Sequence, residues 1–107
     1  MAILRHKVLY NASAAGTGDW FELDTSKNGE NMRSIHGQVA AGDTIVIQGT
    51  TIRAADRTAL AEVITSTDIA TLKTFTSDFA DTLLGTWSFI RVVKTGANGT
   101  SKVQGLI

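Results

Sequence analysis

Apolar and polar residues alternate with period two along much of this chain, which predicts strands rather than helices. From Arg33 to Ala40 the alternation is clean: Ile35, Gly37 and Val39 point one way, Ser34, His36 and Gln38 the other. Ala41-Gly42-Asp43 is a tight turn into Thr44-Ile45-Val46-Ile47-Gln48-Gly49-Thr50-Thr51, whose β-branched content predicts a central strand. The two segments together predict a hairpin. A long strand is predicted over Thr86 to Lys94. Trp87, Phe89, Arg91 and Val93 share one face; Ser88, Ile90, Val92 and Lys94 share the other. Ser101 to Ile107 is expected to pair back onto it through the Gly- and Asn-rich turn at Thr95 to Thr100, a terminal hairpin.

The first third reads as shorter pieces. Ile3 to Tyr10, apolar but broken by basic residues, predicts a first strand at a sheet edge. Asn11 to Asp19 is a loop by composition. Trp20 to Leu23 is a short strand with Phe21 and Leu23 on one side, and Asn28-Gly29 marks a turn. The stretch from Ile52 to Leu84 is ambiguous. A strand near Glu62 to Thr65 is favoured, though Ala54 to Ile64 also has helical spacing. Ser66, Thr67 or Asp68 could cap a short helix over Ile69 to Phe75. Frequent Thr argues against longer helices. The expectation is an all-β, antiparallel β-sandwich of jelly-roll or Ig-like kind, with room for one short helix in the middle third. One domain spans residues 1–107, with 1–10 as an N-terminal arm or edge strand.

Composition narrows the function. Ten basic and ten acidic residues cancel, without a like-charge block. No basic stripe is available to neutralise phosphates, so direct nucleic-acid binding is not expected. No apolar run reaches membrane-spanning length, and Met1 to Leu4 runs straight into Arg5, His6 and Lys7, unlike a signal peptide. Near-neutral charge removes a barrier to self-association. The chain has no Cys, which excludes disulfides and thiolate chemistry and fits a reducing compartment, and no Pro, which leaves turns to Gly, Asn, Asp and Ser.

Candidate chemistry is thin. His6 and His36 lack partners at metal-ligand spacing, so neither a metal nor a cofactor is expected. Asp19 with Glu22, and Asp78 with Asp81, read as solvated acids rather than a glycosidase pair. Gly16-Thr17-Gly18 lacks the rest of a phosphate-binding fingerprint. No catalytic residue is assigned, and an enzyme is not expected. Trp20, Trp87, Phe89 and Arg91 are the candidate packing or interface residues, because aromatics and Arg dominate interface energies. An exposed Trp20 or Trp87 would instead suit a carbohydrate-binding module.

The strand Ile45-Val46-Ile47-Gln48-Gly49-Thr50-Thr51, the Glu62-to-Thr65 region, the segment Leu84-Gly85-Thr86-Trp87-Ser88-Phe89-Ile90-Arg91-Val92-Val93-Lys94-Thr95-Gly96 and the terminal Thr100-to-Ile107 segment resemble small β-sandwich virion proteins of tailed bacteriophages. The resemblance covers roughly residues 33–107. It lies in strand pattern more than in reactive residues. It implies a capsid decoration or cement protein, oligomeric and typically trimeric, on the surface of the virion. The protein would be made in the host cytoplasm and bind the major capsid protein; tail, baseplate and head-fibre pieces are the nearest alternative. The chain departs from the pattern at Ile52 to Arg57, where an Asp-Gly turn and a following Trp strand are missing.

Overall fold

A computed structural model describes residues 6–23, 32–52, 66–85 and 87–107. They form nine strands: β1 His6–Ala12, β2 Gly16–Thr17, β3 Phe21–Glu22, β4 Met32–Gln38, β5 Thr44–Thr50, β6 Ala70–Phe75, β7 Phe79–Leu84, β8 Phe89–Thr95 and β9 Ser101–Leu106. Two antiparallel sheets pack face to face, so the expected all-β sandwich is what the chain adopts. Sheet A has the order β1-β9-β4-β7. Sheet B has the order β2-β8-β5-β6, with β3 also paired to β8. The Asn28-Gly29 turn, the strand near Glu62 to Thr65, the helical alternative over Ala54 to Ile64 and the first five residues of the proposed arm lie outside the described residues.

The alternation in the sequence sets the layers. Ile35 faces inward from β4, Ile45 and Ile47 from β5, Ile90 and Val92 from β8, and Val103 from β9, all 2% exposed or less. Dispersion and water release across this layer supply the main stabilisation, about 1.5–3 kcal/mol for each such side chain. Among the described residues β1 stands at one end of sheet A and pairs with β9 alone. β5 is central, between β6 and β8.

Two expected hairpins are not formed. β4 lies in sheet A and β5 in sheet B, and likewise β9 lies in sheet A and β8 in sheet B. Both turns are arches that carry the chain from one sheet to the other. β9 pairs instead with β1 and β4, and β8 with β5, β2 and β3. The proposed helix over Ile69 to Phe75 is also absent. Ser66–Asp68 makes a single 3-10 turn, and the following residues form β6. The register of β5 and β6 shifts between Ile47 and Gln48, so Leu72 is an extra residue opposite that step. This bulge brings Leu72 and Phe75, three apart, against the same core and imitates a helical period.

At the opposite edges of the two sheets, β6 and β7 approach each other. The Phe75 and Phe79 rings stack with centroids 3.7 Å apart, and Lys73 pairs with Asp81 at 3.2 Å beside them. Ile107 is buried at 6% exposure and belongs to the core.

Candidate functional site

The strongest polar constellation lies at one end of the sandwich, where three sheet-crossing turns meet. Alternation along β8 puts Lys94 on the same inward side as Ile90 and Val92, and its side chain has no solvent exposure. The ammonium donates to the carbonyl oxygens of Ser13 at 2.5 Å and Gly99 at 2.6 Å, and sits 3.2 Å from Asp43 Oδ2. Three donors meet three acceptors, so the cation is saturated. Asp43 is equally enclosed. Its Oδ1 accepts the Asn98 side-chain amide at 2.7 Å, and the Asn98 backbone N–H reaches Oδ1 at 3.1 Å and Oδ2 at 3.2 Å.

Local geometry delivers Asp43 to this place. Ala40 to Asp43 is a β-turn closed by the Asp43 N–H to the Ala40 carbonyl at 3.0 Å, with Gly42 at φ +87° as a type II turn requires. Gly96 makes the matching bend after β8. Its φ is +93°, and a Cβ there would run into Asp43 Oδ1. Ser101 Oγ accepts the Ala40 N–H at 3.2 Å and Ser13 Oγ bonds Thr100 Oγ1 at 2.8 Å, which tightens the same end. Burial alone would raise the Asp43 pKa. The hydrogen bonds from the Asn98 side chain and backbone, then those from Lys94 and its charge, overcome this and hold the carboxyl below its ordinary value of 3.8. Chemically the cluster is a pin: its charges are buried and already paired.

The four candidates from the sequence do not form one face. Trp20 and Arg91 do come together, the guanidinium 4.4 Å from the indole centroid, with Arg91 Nε donating to Gln48 Oε1 at 2.8 Å. Burial draws the Arg91 guanidinium pKa below its usual value. Phe89 is buried at 6% exposure, opposite Thr50 on β5 and Glu22 on β3. Trp87 precedes β8 rather than lying in it. Its indole rests over Gly49 and donates to the Leu84 carbonyl at 2.9 Å. A sugar platform needs an open ring face. Packing against the core uses Trp87, and Arg91 covers one face of Trp20.

The remaining ionisable candidates have local work. Asp78 caps the Val39 N–H at 2.9 Å and Asp81 holds the Thr82 N–H at 2.7 Å as well as Lys73. His6 Nε2 bonds Gln104 Oε1 at 2.8 Å, and His36 is exposed on β4. Among the described residues no three His, Cys, Asp or Glu side chains gather as a metal site. Among them, too, no helix is long and apolar enough to cross a membrane.

Two features escaped the sequence reading. The Asp43–Lys94–Asn98 pin had a signal, a lysine at the register of Ile90 and Val92. The other is the outward face of sheet A, where Val8, Met32, Leu84 and Leu106 are all exposed. No family model matches the chain, and no characterised protein or solved structure matches it significantly.

Proposed function

We propose that this protein is a structural component of a tailed-bacteriophage virion, a capsid decoration or cement protein. It self-associates on the shell and holds neighbouring major capsid protein subunits together. The observation that carries this reading is the division of labour on the molecule. Among the described residues, Asp43 and Lys94 are locked inside as a pin between turns, while one sheet exposes large apolar side chains. A rigid module with an adhesive face suits assembly, and burial of that face would supply the contact energy. The strand pattern from Ile45 through Ile107 supports the same reading by its resemblance to phage virion sandwiches.

Mass spectrometry of purified particles tests it through copy number. Copies in the hundreds per particle are expected, as a shell protein requires. Six or twelve copies would place the protein in the tail or neck and overturn the cement role. Absence from particles would overturn the virion reading altogether.

A further inference from the structure

We infer that Arg91 is the receptor for a carboxylate side chain on the shell subunit that this protein binds, its guanidinium held in place by Trp20 and Gln48. Arg91 stands on β8, inside sheet B, directly opposite Gln48 on β5. Alternation turns it outward, because Ile90 and Val92 on either side of it are buried in the core. Trp20 comes just before β3, where Phe21 pairs with Ile90, and this brings the indole beside Arg91. The guanidinium lies 4.4 Å from the indole centroid, and its Nε donates to Gln48 Oε1 at 2.8 Å. One face of the planar fork and its Nε corner are therefore fixed.

The Nη1–Nη2 edge has nothing to hold. A guanidinium carries five N–H donors, and Gln48 takes one. Among the described residues the other four meet no protein acceptor, and no carboxylate pairs with Arg91. Lys73 and Lys94, by contrast, each meet an Asp. Asp19 and Glu22, which flank Trp20 in the sequence, are exposed. Burial lowers the Arg91 pKa, and no neighbouring acid acts the other way. The fold thus dehydrates part of this cation, orients it and leaves its charge uncompensated. Chemistry selects the ligand. The free edge matches the two oxygens of a carboxylate, which it can take in two parallel hydrogen bonds. One cation balances one negative charge, whereas a phosphate dianion would be half compensated near Asp19 and Glu22. Arg91 already covers one face of Trp20, which disfavours a stacked sugar and leaves a protein acid, Asp or Glu, as the source. Val46 and Val93, paired and half-buried at the next outward positions, give the methylenes of that side chain an apolar border. Because the fork is oriented before binding, the contact costs little side-chain freedom.

This inference rests on the proposed function for the identity of the partner, but not for the carboxylate, and two measurements separate them. The first is NMR of the purified full chain carrying isotope-labelled arginine. The Arg91 Nε–H signal, identified by its loss in Arg91→Lys, should shift saturably with potassium acetate and not with potassium chloride at equal ionic strength. Trp20→Leu should weaken acetate binding at least about threefold. No response beyond that to chloride, or an equal response from every arginine, would overturn the proposal. Tighter binding of phosphate, or much tighter binding of glucuronate than of acetate, would overturn it in favour of that ligand. The second measurement is copy number on purified particles. Arg91→Gln should lower it at least about tenfold, as loss of a charge-assisted pair requires, and Arg91→Lys should restore part of it. Equal abundance of Arg91→Gln and wild type would overturn the contact with the shell. Wild type absent from particles would sink the virion reading alone, since the acetate response decides the carboxylate.

Discussion

Asp43–Lys94 and Lys73–Asp81 each bring a nitrogen and an oxygen to 3.2 Å, but in opposite surroundings. The first pair has no side-chain exposure; the second is 36% and 39% exposed. The buried pair ties three turns together and satisfies the Ser13 and Gly99 carbonyls and the Asn98 N–H. The exposed pair lies beside a stacked Phe75–Phe79 contact that already closes its edge. Equal length therefore does not mean equal weight. What matters is how many other groups would lose their partner if the pair were removed.

The largest effect should come from Lys94→Met. Removing one partner of a buried pair typically costs about 3–5 kcal/mol, because the other charge is left enclosed without compensation. Here two carbonyls lose their donor as well. Urea unfolding should show a loss of that order, a large share of the roughly 5–15 kcal/mol that holds a domain of this kind. A loss below about 1 kcal/mol would reduce the pin to an ordinary contact and break the contrast with Lys73–Asp81.

Gly96→Ala attacks the same pin without touching charge. At φ +93° an alanine is strained, and its methyl would run into Asp43 Oδ1. About 2 kcal/mol of destabilisation is expected in the same assay. The damage should be non-additive with Lys94→Met, since both disturb Asp43.

The sandwich was legible because period-two alternation survives in β4, β5, β8 and β9. The pairing was not. A short turn between two strands reads the same whether it folds back within a sheet or arches to the other one. Here the two turns are arches, and the Asp43–Lys94 pair joins them. Lys94 shows the point at one residue. Its spacing from Ile90 and Val92 placed it on a face of its own strand, but only the partner turns reveal that face as core. Trp87 packs against the core but not on the face of Phe89 and Arg91, because the strand predicted from Thr86 starts three residues before β8. The exposed face of sheet A was out of reach because Val8, Met32, Leu84 and Leu106 come from four separate segments. Only the assembled register places them on one face.

Acid should weaken both pairs. Both carboxyls sit below the ordinary 3.8: Asp43 through Asn98 and Lys94 against the opposing effect of burial, Asp81 through the Thr82 N–H and then Lys73. The unfolded chain therefore takes up these protons at higher pH than the folded one. The stabilisation is complete above the unfolded value near 3.8 and is lost as pH falls through each folded value. Urea midpoints measured from pH 7 to pH 2 should be level in this respect until about pH 5 and then decline. In Lys94→Met the contribution from Asp43 should be smaller throughout, because the lysine no longer lowers its pKa. A midpoint that rises on acidification below pH 4 would contradict the assignment.

Lys73→Gln should be the mildest change, and it tests the exposed side of the contrast most directly. The long side chain keeps its apolar stem over the edge, while the charge is removed. Asp81 retains the Thr82 N–H at 2.7 Å, and the ring stack between Phe75 and Phe79 stays in place. A surface pair of this exposure also spends side-chain entropy to hold its geometry and is screened by salt. The melting temperature should fall by about 2 °C or less. Adding 0.5 M salt, about three times the roughly 0.15 M physiological level, should narrow that difference further. The same salt should leave the gap between wild type and Lys94→Met almost intact, because ions cannot reach a pair without exposure. A Lys73→Gln loss as large as that of Lys94→Met would mean that the β6–β7 edge depends on charge rather than on the aromatic stack.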